Sequence, residues 1–175
     1  KRLKEVQTET VMTTTYNEVD LSSVIAIRKK YQDQFVKKHN TKLGFMSFFV
    51  KASVNSLQSF PHLNAELHQD ELIVKKYYDI GIAVATDEGL VVPVLRGADK
   101  LSSAEIELGI AELATKSREK KITLQELQGG TFSITNGGVF GSLMSTPLLN
   151  PPQVGILGMH KICLLYTSPS PRDLS

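Results

Sequence analysis

Gly130-Thr131-Phe132-Ser133-Ile134-Thr135-Asn136-Gly137-Gly138 is the stretch from which the fold can be built outward. Thr131 to Thr135 mixes β-branched and aromatic residues and reads as a strand. It stops at Asn136-Gly137-Gly138, a tripeptide with two readings. One is a tight turn that needs positive φ. The other is a polar strand end whose backbone a ligand can approach closely. Downstream, a loop with Pro147, Pro151 and Pro152 leads to a second apolar strand at Val154 to Leu157. Upstream, Thr123 and Glu126 have capping-box spacing over a short helix. Ser102 and Glu105 repeat that spacing over a longer helix to about Lys120, and its last turn carries Arg118, Lys120 and Lys121, as the helix dipole prefers.

Further upstream, Asp79 to Thr86 is one continuous strand-length run, Asp87-Glu88-Gly89 is a turn, and Leu90 to Leu95 returns. Pro93 places the returning strand at an edge or an interruption. Asn64 to His68 and Leu72 to Val74 flank a hairpin turn at Gln69-Asp70-Glu71. Ser47 to Leu57 reads as a helix burying Phe48, Phe49, Ala52 and Leu57, ended by Pro61. A helix from Leu21 to His39, capped by Asp20 and stopped near Asn40, places Val24, Ile27, Tyr31 and Phe35 on its buried face. Residues 11–19 (VMTTTYNEV) read as a strand. Strands and helices alternate irregularly, which favours an α/β sandwich of layers over a doubly wound sheet.

The 175 residues suit one domain with its own core, and 41% hydrophobic with 22% charged residues is ordinary globular composition. A net charge of +2 makes no electrostatic case for nucleic acid or an anionic membrane surface. No apolar run approaches the ~20 residues of a membrane span. The chain opens with Lys1-Arg2-Leu3 rather than Met, which reads as a cut N-terminus. Its single cysteine, Cys163, builds no disulfide framework and favours a reducing compartment.

The four histidines have structural or surface readings. His39 sits in a last helical turn, His62 follows Pro61, His68 lies beside the hairpin turn, and His160 follows the final apolar strand. None sits in a local nucleophile pattern, no Cys/His cluster suggests zinc, and neither G-x-G-x-x-G nor a P-loop occurs. Cys163 to Asp173 does not continue the strand pattern before it. These eleven residues match the conceptual translation of a transposase-type sequencing adapter. The expectation is therefore a partial catalytic domain over residues 1–162 and a non-native tail over 163–175, with a native gene that continues differently past Ile162.

Seven collinear segments carry a resemblance. They are Arg2-Leu3-Lys4-Glu5-Val6-Gln7, Thr13-Thr14-Thr15-Tyr16-Asn17-Glu18-Val19-Asp20, Lys42-Leu43-Gly44-Phe45-Met46-Ser47, Asp87 to Arg96 (DEGLVVPVLR), Gly130 to Ser142 (GTFSITNGGVFGS), Asn150-Pro151-Pro152-Gln153 and Ile156-Leu157-Gly158-Met159-His160. Together they resemble the catalytic domain of the dihydrolipoyllysine-residue succinyltransferase family, from about residue 2 to residue 162.

The resemblance implies a chloramphenicol-acetyltransferase-like two-layer α/β sandwich with a mixed sheet, here truncated at the C-terminus. It implies trimers that build a hollow cubic core, active sites between subunits, and coenzyme A and a dihydrolipoyl arm entering from opposite sides. Succinyl-coenzyme A is the implied substrate, and the lipoyl group rides on a domain absent from this sequence. The implied partners are the 2-oxoglutarate dehydrogenase and dihydrolipoamide dehydrogenase components, in a bacterial cytoplasm or a mitochondrial matrix. By motif position Thr135 is the oxyanion donor, with Asn136, Gly137 and Gly138 beside the substrate. The family's base is a histidine in a His-Arg-x-x-Asp-Gly segment, and none occurs among these 175 residues. The chain as given is thus expected to be inactive. The alternatives are an acetyl- or branched-chain-acyl relative, or a scaffold fragment without catalysis.

Overall fold

The computed structural model describes residues 2–164. The expected tail lies outside the described residues from 165 onward. Fifteen elements follow in order, of which the helices are α1 (Arg2–Glu9), α2 (Ser22–His39), α3 (Met46–Ser59) and α4 (Ser103–Arg118). The strands are β1 (Ala65–His68), β2 (Glu71–Val74), β3 (Ile80–Ile82), β4 (Val84–Thr86), β5 (Gly89–Val91), β6 (Val94–Leu95), β7 (Phe132–Asn136) and β8 (Ile156–Met159). Short 3₁₀ turns at Pro61–Asn64, Gln125–Leu127 and Gly137–Phe140 complete the set.

The central sheet runs β6-β3-β7-β8. β3 is antiparallel to β6 and parallel to β7, and β7 is parallel to β8. The sheet is therefore mixed, with β7 in its interior. Val50, Val54 and Leu57 of α3 and Ile106 and Leu113 of α4 pack on Ile80, Ile82, Leu95, Ile134 and Met159 of the sheet. Helices thus cover one sheet face in the expected two-layer arrangement.

One polar junction sets the start of β7. The Asp79 carboxylate accepts from Arg96 Nη1 at 2.8 Å and from the Gly97 amide at 2.8 Å. Thr131 N–H donates to the Asp79 carbonyl at 2.7 Å. Arg96 Nη2 reaches the carbonyls of Gln125 and Gln128, so the same guanidinium binds the turn that leads into β7. A carboxylate this enclosed stays charged cheaply only when its oxygens are paired.

The helix starts are capped in two ways. The Ser102 hydroxyl accepts from Glu105 N–H, while the Glu105 carboxylate accepts from Ser102 N–H, the expected capping box of α4. α3 has no side-chain cap of its own. Glu107 of α4 supplies one across the helix interface, its Oε1 accepting from Ser47 N–H at 2.9 Å. A Cβ on Gly44 would sit 2.5 Å from Glu107 Oε2. The Leu-Gly-Phe-Met-Ser segment thus contains glycine so that a carboxylate from another helix can reach an open helix end.

Several expectations need correction. Residues 11–19 form no strand; no neighbour pairs with them among the described residues, and Val11 is 98% exposed. α2 turns Val24, Arg28, Gln32, Phe35 and His39 toward the protein, and no residue of it is buried. Ile27 and Tyr31, expected inside, are each 43% exposed. Polar contacts explain the shift: Arg28 Nε donates to Leu43 O, Leu43 N–H donates to Gln32 Oε1, and the Arg28 guanidinium lies 3.9 Å from the Phe45 ring centre. In α3, Ala52 is exposed and Phe48 and Phe49 are half-buried, because Ser47, Val50, Ser53, Val54 and Leu57 form the inward row.

The continuous strand expected over Asp79–Thr86 breaks at Ala83. β3 joins the central sheet while β4 pairs only with β5. Leu90–Leu95 is likewise split around Pro93, which lacks the N–H to extend a ladder; its carbonyl still accepts from Ile82 N–H. β8 begins at Ile156 rather than Val154. The β1–β2 hairpin forms as expected, with Gln69 at φ 55°.

Gly44→Ala is expected to cost about 1–3 kcal/mol of stability, the range for overpacking, measured by denaturant unfolding. Recovery of stability in Gly44→Ala/Glu107→Ala would identify the Glu107 contact as the cause. A second prediction concerns pH. Glu126 falls from the ordinary 4.5 to about 2, because it accepts first from Thr123 N–H and then from the Lys116 ammonium and the Thr123 hydroxyl. A depressed carboxylate contributes its stability above pH 4.5 and loses it as pH falls toward about 2. The melting-temperature gap between wild type and Glu126→Gln should therefore narrow across that window.

Candidate active site at the end of the central strand

Strand alternation divides the residues of β7 between two faces. Ile134 enters the helix-covered core and is fully buried. Ser133 points the other way and is also buried, its hydroxyl donating to Gln153 Oε1 at 2.6 Å. Gln153 thus fastens the proline-rich loop to the sheet. Thr135 shares the face of Ser133 and lies half-buried, one residue from the end of the strand. No hydrogen bond engages its hydroxyl among the described residues. A hydroxyl at a strand end, uncommitted and beside a covered face, can donate to an incoming oxygen.

The next three residues are more committed. The Asn136 Oδ1 accepts from Gly138 N–H at 2.9 Å and caps the 3₁₀ turn Gly137–Phe140. A Cβ on Gly138 would stand 2.5 Å from the His160 carbonyl carbon. The close approach at this glycine is therefore made by the protein's own backbone. Gly137 has ordinary room, with Ser142 Cβ 3.4 Å from where its Cβ would stand. Neither glycine has positive φ; that conformation falls on Gly141, at φ 82°. The positive-φ reading of Asn136-Gly137-Gly138 is thus corrected: close backbone packing, not a left-handed turn, explains Gly138.

The structure also brings together a pair that short-range motifs do not show. His160 Nε2 lies 2.7 Å from Ser145 Oγ. The two residues come from the loop and from just beyond β8, so no local spacing signals the contact. His39 packs against Phe35, with ring centres 4.8 Å apart. No group of three or more His, Cys, Asp or Glu residues able to hold a metal occurs among the described residues. No described helix is long and apolar enough to cross a membrane. A cleft of about 380 Å³ lies between Thr86–Val91 and Ser117–Ile122, bridged by Lys120 and Glu88, and none of residues 135–138 lines it. Nearby, Lys116 rises to about 12 because the carboxylates of Glu112 and then Glu126 surround it.

The chain matches the 2-oxoacid dehydrogenases acyltransferase (catalytic domain) family over residues 1–167. It is 66% identical over 164 residues to the dihydrolipoyllysine-residue succinyltransferase component of the 2-oxoglutarate dehydrogenase complex of Bacillus subtilis, covering 94% of this chain and 39% of that protein. The protein of the same description from Rickettsia typhi is 58% identical over 161 residues, covering 92% of this chain and 40% of that one. The chain therefore spans about two fifths of these relatives. Among solved structures, Azotobacter vinelandii dihydrolipoamide acetyltransferase superposes with a TM-score of 0.90 at 33% identity, covering 95% of this chain and 69% of that one. That structure concerns the role of a serine, a histidine and an asparagine in the catalytic mechanism. The cubic core of the pyruvate dehydrogenase multienzyme complex superposes equally, with a TM-score of 0.90, 33% identity and the same coverage.

Gln153→Ala is expected to destabilise the protein by about 1–3 kcal/mol, the cost of leaving the Ser133 hydroxyl buried and unpaired. Chemical denaturation measures it, and Ser133→Ala in the same background should recover part of the loss.

Proposed function

The chain belongs to the 2-oxoacid dehydrogenases acyltransferase (catalytic domain) family, and on that footing we propose that it is part of an enzyme that moves a succinyl group between the thiols of dihydrolipoamide and coenzyme A. The observation that carries this reading is the 66% identity to the succinyltransferase component from Bacillus subtilis. An acetyl or branched-chain acyl specificity is the competing reading.

The chemistry defines the groups required. A free thiol with pKa about 8.5 is mostly protonated at neutral pH and needs a base. Its attack on a thioester carbonyl builds a tetrahedral oxyanion, which needs a placed donor. The Thr135 hydroxyl takes the second role. Asn136, Gly137 and Gly138 hold the end of the strand beside the substrate. The base belongs to the His-Arg-x-x-Asp-Gly segment of the family and lies in residues outside this sequence, as does the domain that carries the lipoyl group.

Around this reaction we place a trimer building a cubic core, working with the 2-oxoglutarate dehydrogenase and dihydrolipoamide dehydrogenase components in a bacterial cytoplasm. The cubic-core structure with a TM-score of 0.90 supports the assembly part. The junction between native residues and tail is placed at Ile162/Cys163, although the family match runs to residue 167. Parent DNA that encodes Cys163 to Asp173 in place would refute that junction.

The complete enzyme encoded by the parent DNA is expected to transfer succinyl from succinyl-coenzyme A to dihydrolipoamide, and Thr135→Ala to lower kcat by ~10²–10³. The 175-residue chain alone should give no turnover. Faster turnover with acetyl-coenzyme A than with succinyl-coenzyme A would overturn the specificity, and unchanged kcat in Thr135→Ala would remove the oxyanion role.

A further inference from the structure

We propose that Gln153 is a positioning residue for the transfer reaction: by clasping Ser133 it fixes the β7–β8 register, and with it the place of the Thr135 hydroxyl. The inference rests on the oxyanion role given to Thr135 above and adds the group that aims it.

The clasp is built into the sheet. Ser133 and Thr135 project from the same face of β7. The Ser133 hydroxyl donates to Gln153 Oε1 at 2.6 Å, and both residues are buried. Two glycines make room for the pair. A Cβ on Gly81, the β3 neighbour of Ser133, would stand 2.8 Å from Ser133 Oγ. A Cβ on Gly130 would stand 2.9 Å from Gln153 Nε2. The Gln153 side chain thus lies against the entry of β7, from Gly130 to Ser133. Its backbone N–H donates to Asn150 O at 3.1 Å and closes the turn behind it.

The clasp controls the strand that follows. Just beyond Gln153-Val154-Gly155, β8 starts at Ile156, which pairs with Ser133. The clasp and the first rung of the ladder therefore meet at one residue of β7. From that rung the register runs through Ile134↔Leu157 to Thr135↔Gly158. Gly158 leaves the β8 flank of Thr135 without a side chain. A one-residue shift would turn β8 over and set Leu157 or Met159 there instead.

Placement matters because of what the hydroxyl does. An oxyanion donor acts only at hydrogen-bond reach of the developing charge, about 2.7–3.1 Å. A misplacement of about 1 Å can cost on the order of 10²-fold in rate. Ser133 stands one pleat before Thr135, so movement at the clasp passes directly to the donor. Gln153 itself touches no reacting atom.

The test uses the complete parent enzyme with succinyl-coenzyme A and dihydrolipoamide. Gln153→Ala is expected to lower kcat by roughly 10- to 100-fold with little change in KM, because an oxyanion contact is made only in the transition state. Ser133→Ala breaks the same bond from the other side, removes less volume and should act alike. Gln153→Glu keeps an acceptor for the Ser133 hydroxyl and should restore most of the rate. In a Thr135→Ala background, Gln153→Ala should lower kcat by no more than about twofold, since the donor it positions is gone. Loss of folded enzyme would lower the rate by the same factor in both backgrounds, and that result would overturn the inference. So would an unchanged kcat in Gln153→Ala and Ser133→Ala, or an effect confined to KM. If Gln153→Ala does not fold, Ser133→Ala with and without Thr135→Ala decides. Full activity in Thr135→Ala, or a parent enzyme inactive on succinyl-coenzyme A, would instead sink the reading on which the inference rests.

Discussion

The Asp79 carboxylate anchors the central sheet. It binds the Arg96 guanidinium and the Gly97 amide, while the backbone carbonyl of Asp79 accepts from the Thr131 amide. Those contacts tie the start of β3 to the chain leaving β6 and to the residue entering β7. The parallel register Ile80↔Phe132, Gly81↔Ser133 and Ile82↔Ile134 follows immediately. A one-residue slip would turn Ile134 out of the core and Thr135 into it. The position of the candidate oxyanion donor therefore depends on an ion pair at the opposite end of its strand.

Glycines mark the other points where geometry is tightly constrained. Gly44 admits the Glu107 carboxylate to the start of α3, Gly138 admits the His160 backbone, and Gly158 admits the His160 ring and Pro147. Two of these three sit at the Thr135 end of the sheet. Close packing there fixes the loop that carries Ser145 relative to β8, which is why a polar pair drawn from two separate segments can face one strand end.

Much of the candidate site was legible in the residues. The strand Thr131–Thr135, its polar stop and the resemblance of Gly130 to Ser142 to an acyltransferase motif all direct attention to Thr135. The capping boxes at Ser102/Glu105 and Thr123/Glu126 were legible for the same reason: both partners lie within one helical turn. The Ser145–His160 pair was not, because fifteen residues and a proline-rich loop separate its members. Glu107 capping α3 was hidden for the same reason, its partner lying 60 residues away.

The failures have a common physical origin. The apolar row Val24, Ile27, Tyr31 and Phe35 is genuine helical periodicity, but which flank of a helix is covered depends on its neighbours, and Arg28 and Gln32 reach Leu43 instead. Residues 11–19 have strand composition, but a strand exists only where another pairs with it. By itself the sequence determined α2 to α4, most of the strands, the Ser102/Glu105 and Thr123/Glu126 caps, the β1–β2 turn and the family motif, all governed by short-range sterics and hydrogen bonding. Only the tertiary structure decided the split at Ala83, the inward face of α2, the reason for Gly138 and the meeting of His160 with Ser145. Each of those is a contact between segments distant in the chain, and no local pattern encodes it.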